Sequence, residues 1–258
     1  MNLAERQNEI LELIKSGKCS SVKELCAQLY TSPATIRRDL RVLEKNGAVH
    51  LSYGNVILSS AEDRALPLTF RAAQSKESKR KIAQYAASLI EPNSSVLLDS
   101  SSTAMNIADF IPANLGISVF TNCIKTAVKL CENGVDVYVL GGKMDPKNYI
   151  TRGAWSMDNI EAINVDYLFF SAQTLDSDGL ISGVSEPGIH QKKLMIAHAK
   201  KQYFLCTSEK LGKRSTFTLC RSSEITGIIA DTDISFIPNT NGINVNGLHL
   251  HSAPQSPR

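Results

Sequence analysis

The sequence contains no uninterrupted apolar stretch near 18 residues, the length at which a membrane-spanning helix becomes plausible. It also lacks a basic-then-apolar leader, so nothing in it predicts export. Its six cysteines form no C-x-x-C pair and no Cys/His spacing suited to zinc, which predicts reduced, mostly buried thiols. We therefore expect a cytoplasmic protein that has no membrane partner and carries no metal and no cofactor.

The net charge is also small, +3, because 28 Lys and Arg residues are nearly balanced by 25 Asp and Glu residues. Residues 1–81 hold 14 of the former and 9 of the latter, which leaves 14 and 16 for the rest of the chain. The first third thus carries +5 and the remainder −2. A cationic third is typical of a phosphate-binding region, although a solvated surface would give the same modest excess. The length of 258 residues suits two domains of about 60 and about 170 residues.

The stretch around Pro33 predicts a helix with a polar, cationic outer face. Ser32 is a suitable N-cap, and Pro33 then occupies the first helical position, where its missing N–H costs nothing. Ile36, Leu40 and Leu43 form one apolar stripe. The residues left off that stripe are Thr35, Arg37, Arg38 and Arg41. Such a face suits a DNA major groove, because guanidinium groups match guanine edges and phosphate oxygens; a solvated surface helix is the plainer interpretation.

The neighbouring patterns favour DNA. Residues 3–16 and 22–29 predict two more helices, and Ser21 with Glu24 can form a capping box at the start of the second. The helix at 22–29 and the helix that begins at Pro33 are short and joined by a few residues, and the second has a cationic face. This arrangement is typical of a helix-turn-helix. Residues 48–58 then predict two short strands around a turn, which makes the motif a winged helix-turn-helix.

Ten residues carry a family resemblance: Arg6, Ile10, Ile14, Ser32, Thr35, Ile36, Arg37, Arg38, Asp39 and Leu40. Their spacing resembles the helix-turn-helix signature of the DeoR family of bacterial transcriptional regulators. The resemblance implies a sequence-specific regulator that binds a double-stranded DNA operator. The family's wing commonly has arginine and a His-Gly-Gly turn, whereas residues 50–55 read H-L-S-Y-G-N here. We therefore expect recognition to rest mainly on the helix, from Ser32 onward, with His50 and Tyr53 as the wing contacts.

Residues 59–76 predict a linker, because their composition breaks both the helical and the strand periodicity. The helix that follows opens with a cationic cluster, Lys76, Lys79, Arg80 and Lys81. This cluster could touch DNA or face water, and we favour water because the same helix supplies apolar residues to the second domain. The predicted organisation is a winged helix-turn-helix (1–58), a linker (59–76), an effector-binding and oligomerisation domain (77–237) and a partly disordered tail (238–258).

Short apolar runs alternate with helical stretches after residue 94. The predicted strands are 96–99, 117–121, 135–140, 167–171, 203–206 and 227–230, and the predicted helices are 103–111, 123–132, 154–163 and 187–199. This alternation predicts an α/β domain with a mostly parallel sheet. Ligands of such sheets bind at the carboxyl ends of the strands.

Polar residues follow four of these strands. They are Asp99, Ser100, Ser101, Ser102 and Thr103; then Asn122; then Gly141, Gly142 and Lys143; and finally Lys210. The hydroxyl-rich loop at a helix start suits a phosphate, while the amide, carboxylate and ammonium groups suit a sugar and its charge. Each feature alone is more often a cap, a turn or a solvated side chain. Their joint position predicts an effector pocket for a small polyhydroxylated anion.

Together with D-Y-L-F-F at 166–170 and S-E-K at 208–210, these loops resemble the C-terminal effector domain of the DeoR family. That domain is similar in fold to ribose 5-phosphate isomerase and to coenzyme A transferases, and in the family it senses phosphorylated sugars. The resemblance implies a repressor of a sugar or carbohydrate catabolic operon, controlled by a phosphorylated sugar effector and acting as a homo-oligomer, a dimer or a tetramer.

Two alternatives stay open. Ser101 and Ser102 stand where the family loop usually has Gly-Thr, and Thr207 stands where it usually has Asp. These departures fit a constitutive DNA-binding regulator with a degenerate sensor. The other alternative is an isomerase-like enzyme in which Asp99 and Lys210 serve acid–base chemistry. A DNA-reading domain has no use in a free isomerase, so we expect no enzyme.

Overall fold

The computed structural model describes residues 3–45, 48–52, 55–58, 68–146 and 148–247. It divides into two compact units, Met1–Gln74 and Ser75–Arg258. The helices are α1 (Leu3–Lys15), α2 (Val22–Leu29), α3 (Pro33–Lys45), α4 (Leu68–Ala73), α5 (Lys76–Ser88), α6 (Ile124–Glu132), α7 (Ala154–Glu161) and α8 (Glu186–Ala197). The strands are β1 (Val49–Ser52), β2 (Asn55–Leu58), β3 (Ser95–Leu98), β4 (Ser118–Thr121), β5 (Asp136–Val139), β6 (Lys143–Asp145), β7 (Ile150–Arg152), β8 (Val165–Phe170), β9 (Thr174–Leu175), β10 (Leu180–Gly183), β11 (Ala199–Cys206), β12 (Phe217–Arg221), β13 (Gly227–Ala230) and β14 (Gly242–Asn244).

The first unit is a helix-turn-helix followed by a wing, as predicted. Its core is apolar and includes the fully buried Ile10, Leu25, Ile36, Leu40 and Leu43. The predicted capping box starts α2, with the Ser21 hydroxyl and the Glu24 carboxylate each accepting a backbone N–H of the other residue. β1 and β2 pair antiparallel to form the wing.

A helix occupies part of the predicted linker, which corrects that prediction. α4 buries Leu68 completely, and Phe70 packs into the core of the first unit. Six residues are too few to show a helical periodicity beside a polar stretch, so the sequence pattern missed them. Residues 59–67 lie outside the described part of the chain.

The second unit is built on a seven-stranded sheet in the order β14-β13-β11-β8-β3-β4-β5. Every neighbouring pair is parallel, so the predicted α/β domain is confirmed. Alternate residues of β3 face opposite cores: Val96 and Leu98 pack with α5 and α6, and Leu97 packs with α7 and α8. Chain order runs outward from β3 to one edge and from β8 to the other. The reversal of strand order therefore lies between β3 and β8.

Two smaller antiparallel pieces were not predicted, the hairpin β6-β7 and the sheet β12-β10-β9. The predicted helix at 103–111 is a 3₁₀ helix, Ala104–Asp109. The first part of the predicted tail, 238–258, contains regular structure, because β14 adds an edge strand to the sheet and Val245 is buried. A three-residue edge strand depends on the hydrogen bonds of β13 and leaves little pattern in the sequence. Residues 248–258 lie outside the described chain.

The cationic cluster at the start of α5 faces water only in part: Lys76 and Arg80 are exposed, as expected, whereas Lys79 is buried. The Lys79 side chain is 3% exposed. The Arg80 guanidinium lies 5.3 Å from the centre of the Phe110 ring, and Lys81 pairs with Glu77 at 3.2 Å. An amphipathic stem lets a cationic side chain cover apolar surface, which is why charge alone did not predict this packing.

The cysteines are free thiols, and most of them are buried. Cys131 is exposed and Cys26 half-buried; the buried ones are Cys19, Cys123, Cys206 and Cys220. Burial raises the pKa of Cys206 and of Cys220 to about 12. No helix in the described part of the chain has the length and apolar character that crossing a membrane requires.

Candidate DNA-reading helix and effector site

Hydroxyl groups fix the start of α3. Ser32 Oγ accepts a hydrogen bond from the Thr35 N–H at 3.3 Å, and the two hydroxyl oxygens lie 2.9 Å apart. The side chain thus satisfies one of the orphan donors of the first turn, as an N-cap does. The helix therefore begins at Pro33, with Ser32 exposed at its tip.

Arginines occupy the outer face of α3. Arg37, Arg38 and Arg41 are exposed, while Ile36 and Leu40 on the opposite face are fully buried. Among the described residues none of the three guanidinium groups forms an ion pair. Their charge is therefore available to an outside anion, and the planar donor fork matches both phosphate oxygens and guanine O6/N7.

A buried ion pair ties α3 to α1. Arg6 Nε lies 2.5 Å from Asp39 Oδ2, and Arg6 Nη2 lies 3.3 Å from Oδ1. Asp39 is fully buried, and its hydrogen bond raises the pKa of Arg6 above the ordinary value. A two-pronged contact of this kind fixes the angle as well as the distance between the helices. Both residues are among the ten signature positions named above, but their structural role was not predicted.

The wing is attached to the same helix. The Leu51 N–H donates to Glu44 Oε1 at 3.0 Å, so the carboxylate of α3 holds the backbone of β1. The backbone of His50 pairs opposite Ile57 in this hairpin. Tyr53, the other predicted wing contact, lies outside the described residues.

Asp99 lies directly after β3, at the reversal of strand order. Its carboxylate is fully buried, and Oδ1 accepts the N–H of Ser101 at 2.9 Å. Oδ2 accepts the N–H of Ser171 at 3.1 Å and forms an ion pair with Lys192. With three donors around it, this carboxylate fixes the loop and a cation more directly than it offers a free acceptor to a sugar.

Sequence reasoning missed Ser171 and Lys192. Ser171 follows β8 and its hydroxyl donates to the Leu205 carbonyl at 2.5 Å while accepting from the Lys210 ammonium. The Lys192 ammonium reaches Asp99 from α8. The position of Ser171 after a predicted strand was an available signal, whereas Lys192 is 93 residues from its partner and has none. The structure thus brings one ammonium group to the buried Asp99 carboxylate and a second to the hydroxyl of Ser171, whose N–H donates to that carboxylate.

The loop after β3 makes several hydrogen bonds within itself. Ser101 Oγ accepts the Ala104 N–H at 3.1 Å, and Asn106 Nδ2 donates to the Ser102 carbonyl at 2.7 Å. Ser100 is half-buried, and Thr103 is buried with no hydrogen-bond partner for Oγ1 among the described residues. The backbone N–H groups of Ser101 and Ala104 already have acceptors within the loop. Fewer N–H groups are therefore left for a phosphate than the sequence pattern implied.

The loops after β4 and β5 meet through the helices that cover them. Asn122 is buried, and its Nδ2 donates to Gln191 Oε1 at 3.0 Å. Gly142 has φ 119°, and a Cβ there would lie 2.6 Å from the Arg152 carbonyl, so only glycine fits. Gly141 is half-exposed beside Asn159. Lys143 is exposed on β6 opposite Arg152, and no described hydrogen bond or ion pair joins it to the Asp99 cluster.

Two carboxylates accept hydrogen bonds from the segment after β11, where the family usually has an aspartate and this chain has Thr207. Thr207 is buried, and its hydroxyl donates to Glu209 Oε1 at 3.3 Å. Asp231, which follows β13, accepts the Ser208 N–H at 2.7 Å. The 3₁₀ helix that carries Lys210 is therefore held by acidic groups. The substitution of Thr207 for the family's usual aspartate did not reveal them.

Family models match both units. The model of the DeoR-like helix-turn-helix domain matches residues 6–62, and that of the DeoR C-terminal sensor domain matches residues 74–232. The chain belongs to the DeoR family. This DeoR-family chain is 31% identical over 228 residues to the HTH-type transcriptional regulator GlpR of Haloferax volcanii, covering 88% of this chain and 89% of the other.

Other DeoR-like proteins and one fold likeness complete the comparison. The lactose phosphotransferase system repressor of Staphylococcus epidermidis is 26% identical over 237 residues, which cover 90% of this chain and 94% of that repressor. Among solved structures, ribose 5-phosphate isomerase A of Methanocaldococcus jannaschii is 16% identical with a TM-score of 0.40, over 54% of this chain and 55% of the isomerase. Both sequence relatives are transcriptional regulators. As a member of the DeoR family, this chain is a transcriptional regulator as well.

Proposed function

We propose that this regulator represses a sugar or carbohydrate catabolic operon in the cytoplasm and that a phosphorylated sugar controls it. The similar lactose phosphotransferase system repressor supports the class of operon. The observation that carries the effector assignment is the convergence of Lys192 and Lys210 on the cluster of Asp99 and Ser171. Two ammonium groups thus lie close to the carboxyl ends of neighbouring strands.

Ammonium groups in such a place suit a phosphate. Charge-assisted hydrogen bonds from ammonium groups to a phosphate are shorter and stronger than neutral ones. The cluster lies at the carboxyl ends of β3 and β8, where strand order reverses and where open α/β sheets bind their ligands. The proposed effector residues are those of the loop at 99–103, together with Asn122, Gly141, Gly142, Lys143 and Lys210, to which the structure leads us to add Ser171 and Lys192.

We propose that the operator is read by α3. Arg37, Arg38 and Arg41 supply the charge and the base-reading groups, and Ser32 and Thr35 lie at the end of the helix that approaches the backbone. His50 and Tyr53 remain proposed wing contacts. One short helix reads too few bases for useful specificity, so a homo-oligomer on repeated half-sites is part of the proposal. Footprinting that showed a single site bound by a monomer would contradict it.

A constitutive regulator is the second candidate, and one observation favours it. The Asp99 carboxylate already has three donors, from Ser101, Ser171 and Lys192, and is satisfied without a ligand. An isomerase-like enzyme finds less support. Glu209 and Asp231 accept hydrogen bonds from Thr207 and Ser208, so each nearby carboxylate is engaged in holding backbone or side chains.

A thermal-shift panel tests the proposal. Phosphorylated hexoses, pentoses and ketoses are compared with the same sugars without phosphate and with inorganic phosphate. A ligand at 100 times its Kd stabilises the folded state by about 2.7 kcal/mol, which for a domain of this size corresponds to a rise in Tm of roughly 5–10 °C. We expect at least one phosphorylated sugar to raise Tm and to change binding to an operator selected from random duplexes. If none does so, the constitutive regulator replaces the effector-controlled one.

A further inference from the structure

Gln191 joins three segments of the second unit through one buried amide. The residue is on α8 and is 5% exposed. Its Nε2 lies 2.8 Å from Ser156 Oγ at the start of α7 and 3.3 Å from the Thr151 carbonyl in β7. Its Oε1 accepts a hydrogen bond from Asn122 Nδ2 at 3.0 Å, just after β4. Nothing in the sequence pattern or the effector proposal used this residue.

The orientation of both amides follows from hydrogen-bond chemistry. A backbone carbonyl can only accept, so the NH₂ group of Gln191 has to face Thr151. The carbonyl oxygen of Gln191 then faces Asn122, and an oxygen needs a donor opposite it. The NH₂ group of Asn122 therefore has to face Gln191. The acceptor end of the Asn122 side chain is left pointing away from α8.

That acceptor has no partner within the described chain. Asn122 is 1% exposed, and its Oδ1 makes no hydrogen bond to any described residue. Buried polar oxygens without partners are uncommon in folded proteins, because desolvation without a hydrogen bond is costly. Asn122 lies just after the carboxyl end of β4, beside the strand that Asp99 follows, β3. A ligand that donates a hydrogen bond would satisfy it.

We propose that Gln191 is a positioning residue that fixes Asn122 as an acceptor and thereby makes the effector site select a ligand with a hydroxyl donor at that place. The inference rests on the proposed control by a phosphorylated sugar and adds a specificity determinant to it. The neighbouring residue Lys192 reaches Asp99 from the same helix. Consecutive residues of α8 thus serve two parts of one ligand: Lys192 helps to place its anion, and Gln191 controls which polar group is accepted beside it.

The quantity to measure is the Kd of an analogue that lacks one hydroxyl, divided by the Kd of the parent sugar phosphate. In the wild-type protein we expect one monodeoxy analogue to bind about 10- to 100-fold more weakly, as a buried acceptor left unpaired predicts. Gln191→Met keeps the volume and removes the amide, so Asn122 is free to turn. The ratio should then fall to about threefold or less.

The test is isothermal titration with glucose 6-phosphate, fructose 6-phosphate and ribose 5-phosphate, each beside its monodeoxy analogues. Asn122→Ala removes the acceptor without touching the contacts of Gln191 to α7 and β7 and gives a second answer if Gln191→Met does not fold. Lys193→Met, on an exposed neighbour in α8, is the matched control and should keep the wild-type ratio. A purely structural role of Gln191 would weaken the parent and the analogue alike and would leave the ratio unchanged.

Each remaining outcome decides the proposal. A collapsed ratio in both Gln191→Met and Asn122→Ala supports it. An unchanged ratio in both, or a wild-type protein that discriminates against no monodeoxy analogue, overturns it while leaving control by a phosphorylated sugar intact. A wild-type protein that binds none of the phosphorylated sugars removes the proposed effector function and this inference with it.

Discussion

The backbone N–H of Ser171 donates to Asp99 Oδ2 at 3.1 Å and so connects the first residue after β8 with the first residue after β3. These strands are neighbours in the sheet, and strand order reverses between them. Open α/β sheets bind their ligands outside the carboxyl ends of the strands at such a reversal. Asp99, Ser171 and the lysines bonded to them lie at this reversal.

Removal of either lysine tests the anion site. We expect Lys210→Met to raise the Kd of the controlling sugar phosphate by at least tenfold, since a hydrogen bond to a charged group contributes about 1.5–3 kcal/mol. Lys192→Met should do the same and also lower Tm without ligand, because it leaves the buried Asp99 charge unpaired. Calorimetry and thermal unfolding measure the two effects, with Lys193→Met as control. Unchanged Kd in both variants would place the anion elsewhere.

The arginines of α3 are expected to differ by role. If Arg37 or Arg38 reads a guanine, its change to Ala should cost about 1–3 kcal/mol and relax specificity at one base pair. A phosphate contact would instead weaken binding to all sequences alike and reduce the salt slope by about one. Fluorescence anisotropy with the selected operator and single-base variants separates these cases. Lys200→Ala, which removes an exposed lysine paired with Asp166 in the other unit, is the charge control. Wild-type affinity in both arginine variants would contradict the assignment of the reading helix.

The ion pair between Arg6 and Asp39 should respond asymmetrically to mutation. Arg6→Ala leaves a fully buried carboxylate without its cation, which typically costs about 3–5 kcal/mol of unfolding free energy. Asp39→Ala leaves a guanidinium that is 18% exposed and can still reach water, so its cost should be smaller. Urea unfolding of the single and double variants measures both, and the double variant should lose less than the sum. Additive losses would mean that the two side chains do not interact.

Asp166 predicts a pH dependence of stability. Hydrogen bonds from Lys200 and from the backbone and hydroxyl of Ser95 lower the pKa of this carboxylate well below its usual range. Its contribution to stability is therefore present above the unfolded-state pKa, about 3.9, and is lost as pH falls through the lower folded-state pKa. Asp166→Asn should be less stable than wild type at pH 6, with a difference that shrinks toward pH 2.

The control for this series is Asp158→Asn, an exposed aspartate on α7 that has no ion pair among the described residues. Urea unfolding from pH 2 to pH 7 compares the three proteins. A constant difference between wild type and Asp166→Asn across that range would show that the carboxylate charge has no part in joining β3 and β8.

Local patterns predicted the parts of the fold that are held locally. The stripe of Ile36, Leu40 and Leu43 lies in the core, and β13 covers the very residues predicted for it, 227–230. Asp99 was placed correctly after β3, because a buried strand that ends in a polar residue is visible in the sequence. Periodicity and capping chemistry require only neighbours in the chain, which is why these predictions were confirmed.

Contacts between distant segments could not be predicted in this way. Ser171 and Lys192 reach Asp99 across 72 and 93 residues, and Gln191 reaches Asn122 across 69. A lysine or glutamine on a half-exposed helix has the same local sequence pattern whether its side chain ends in water or contacts a buried polar group. The strands of β6-β7 and β9-β10 are too short to show alternation, so their hairpins were missed as well.

The inward position of Asp39 has a consequence for the thermodynamics of DNA binding. A duplex carries condensed counterions, and each protein cation brought against a phosphate releases about 0.9 of one. A carboxylate on the outer face of α3 would hold one guanidinium charge back from this exchange. Because Arg6 neutralises Asp39 within the core, Arg37, Arg38 and Arg41 can all displace counterions. Each of these arginines that contacts a phosphate then contributes the mixing entropy of about 0.9 released ion, a contribution that dilute salt increases and concentrated salt removes.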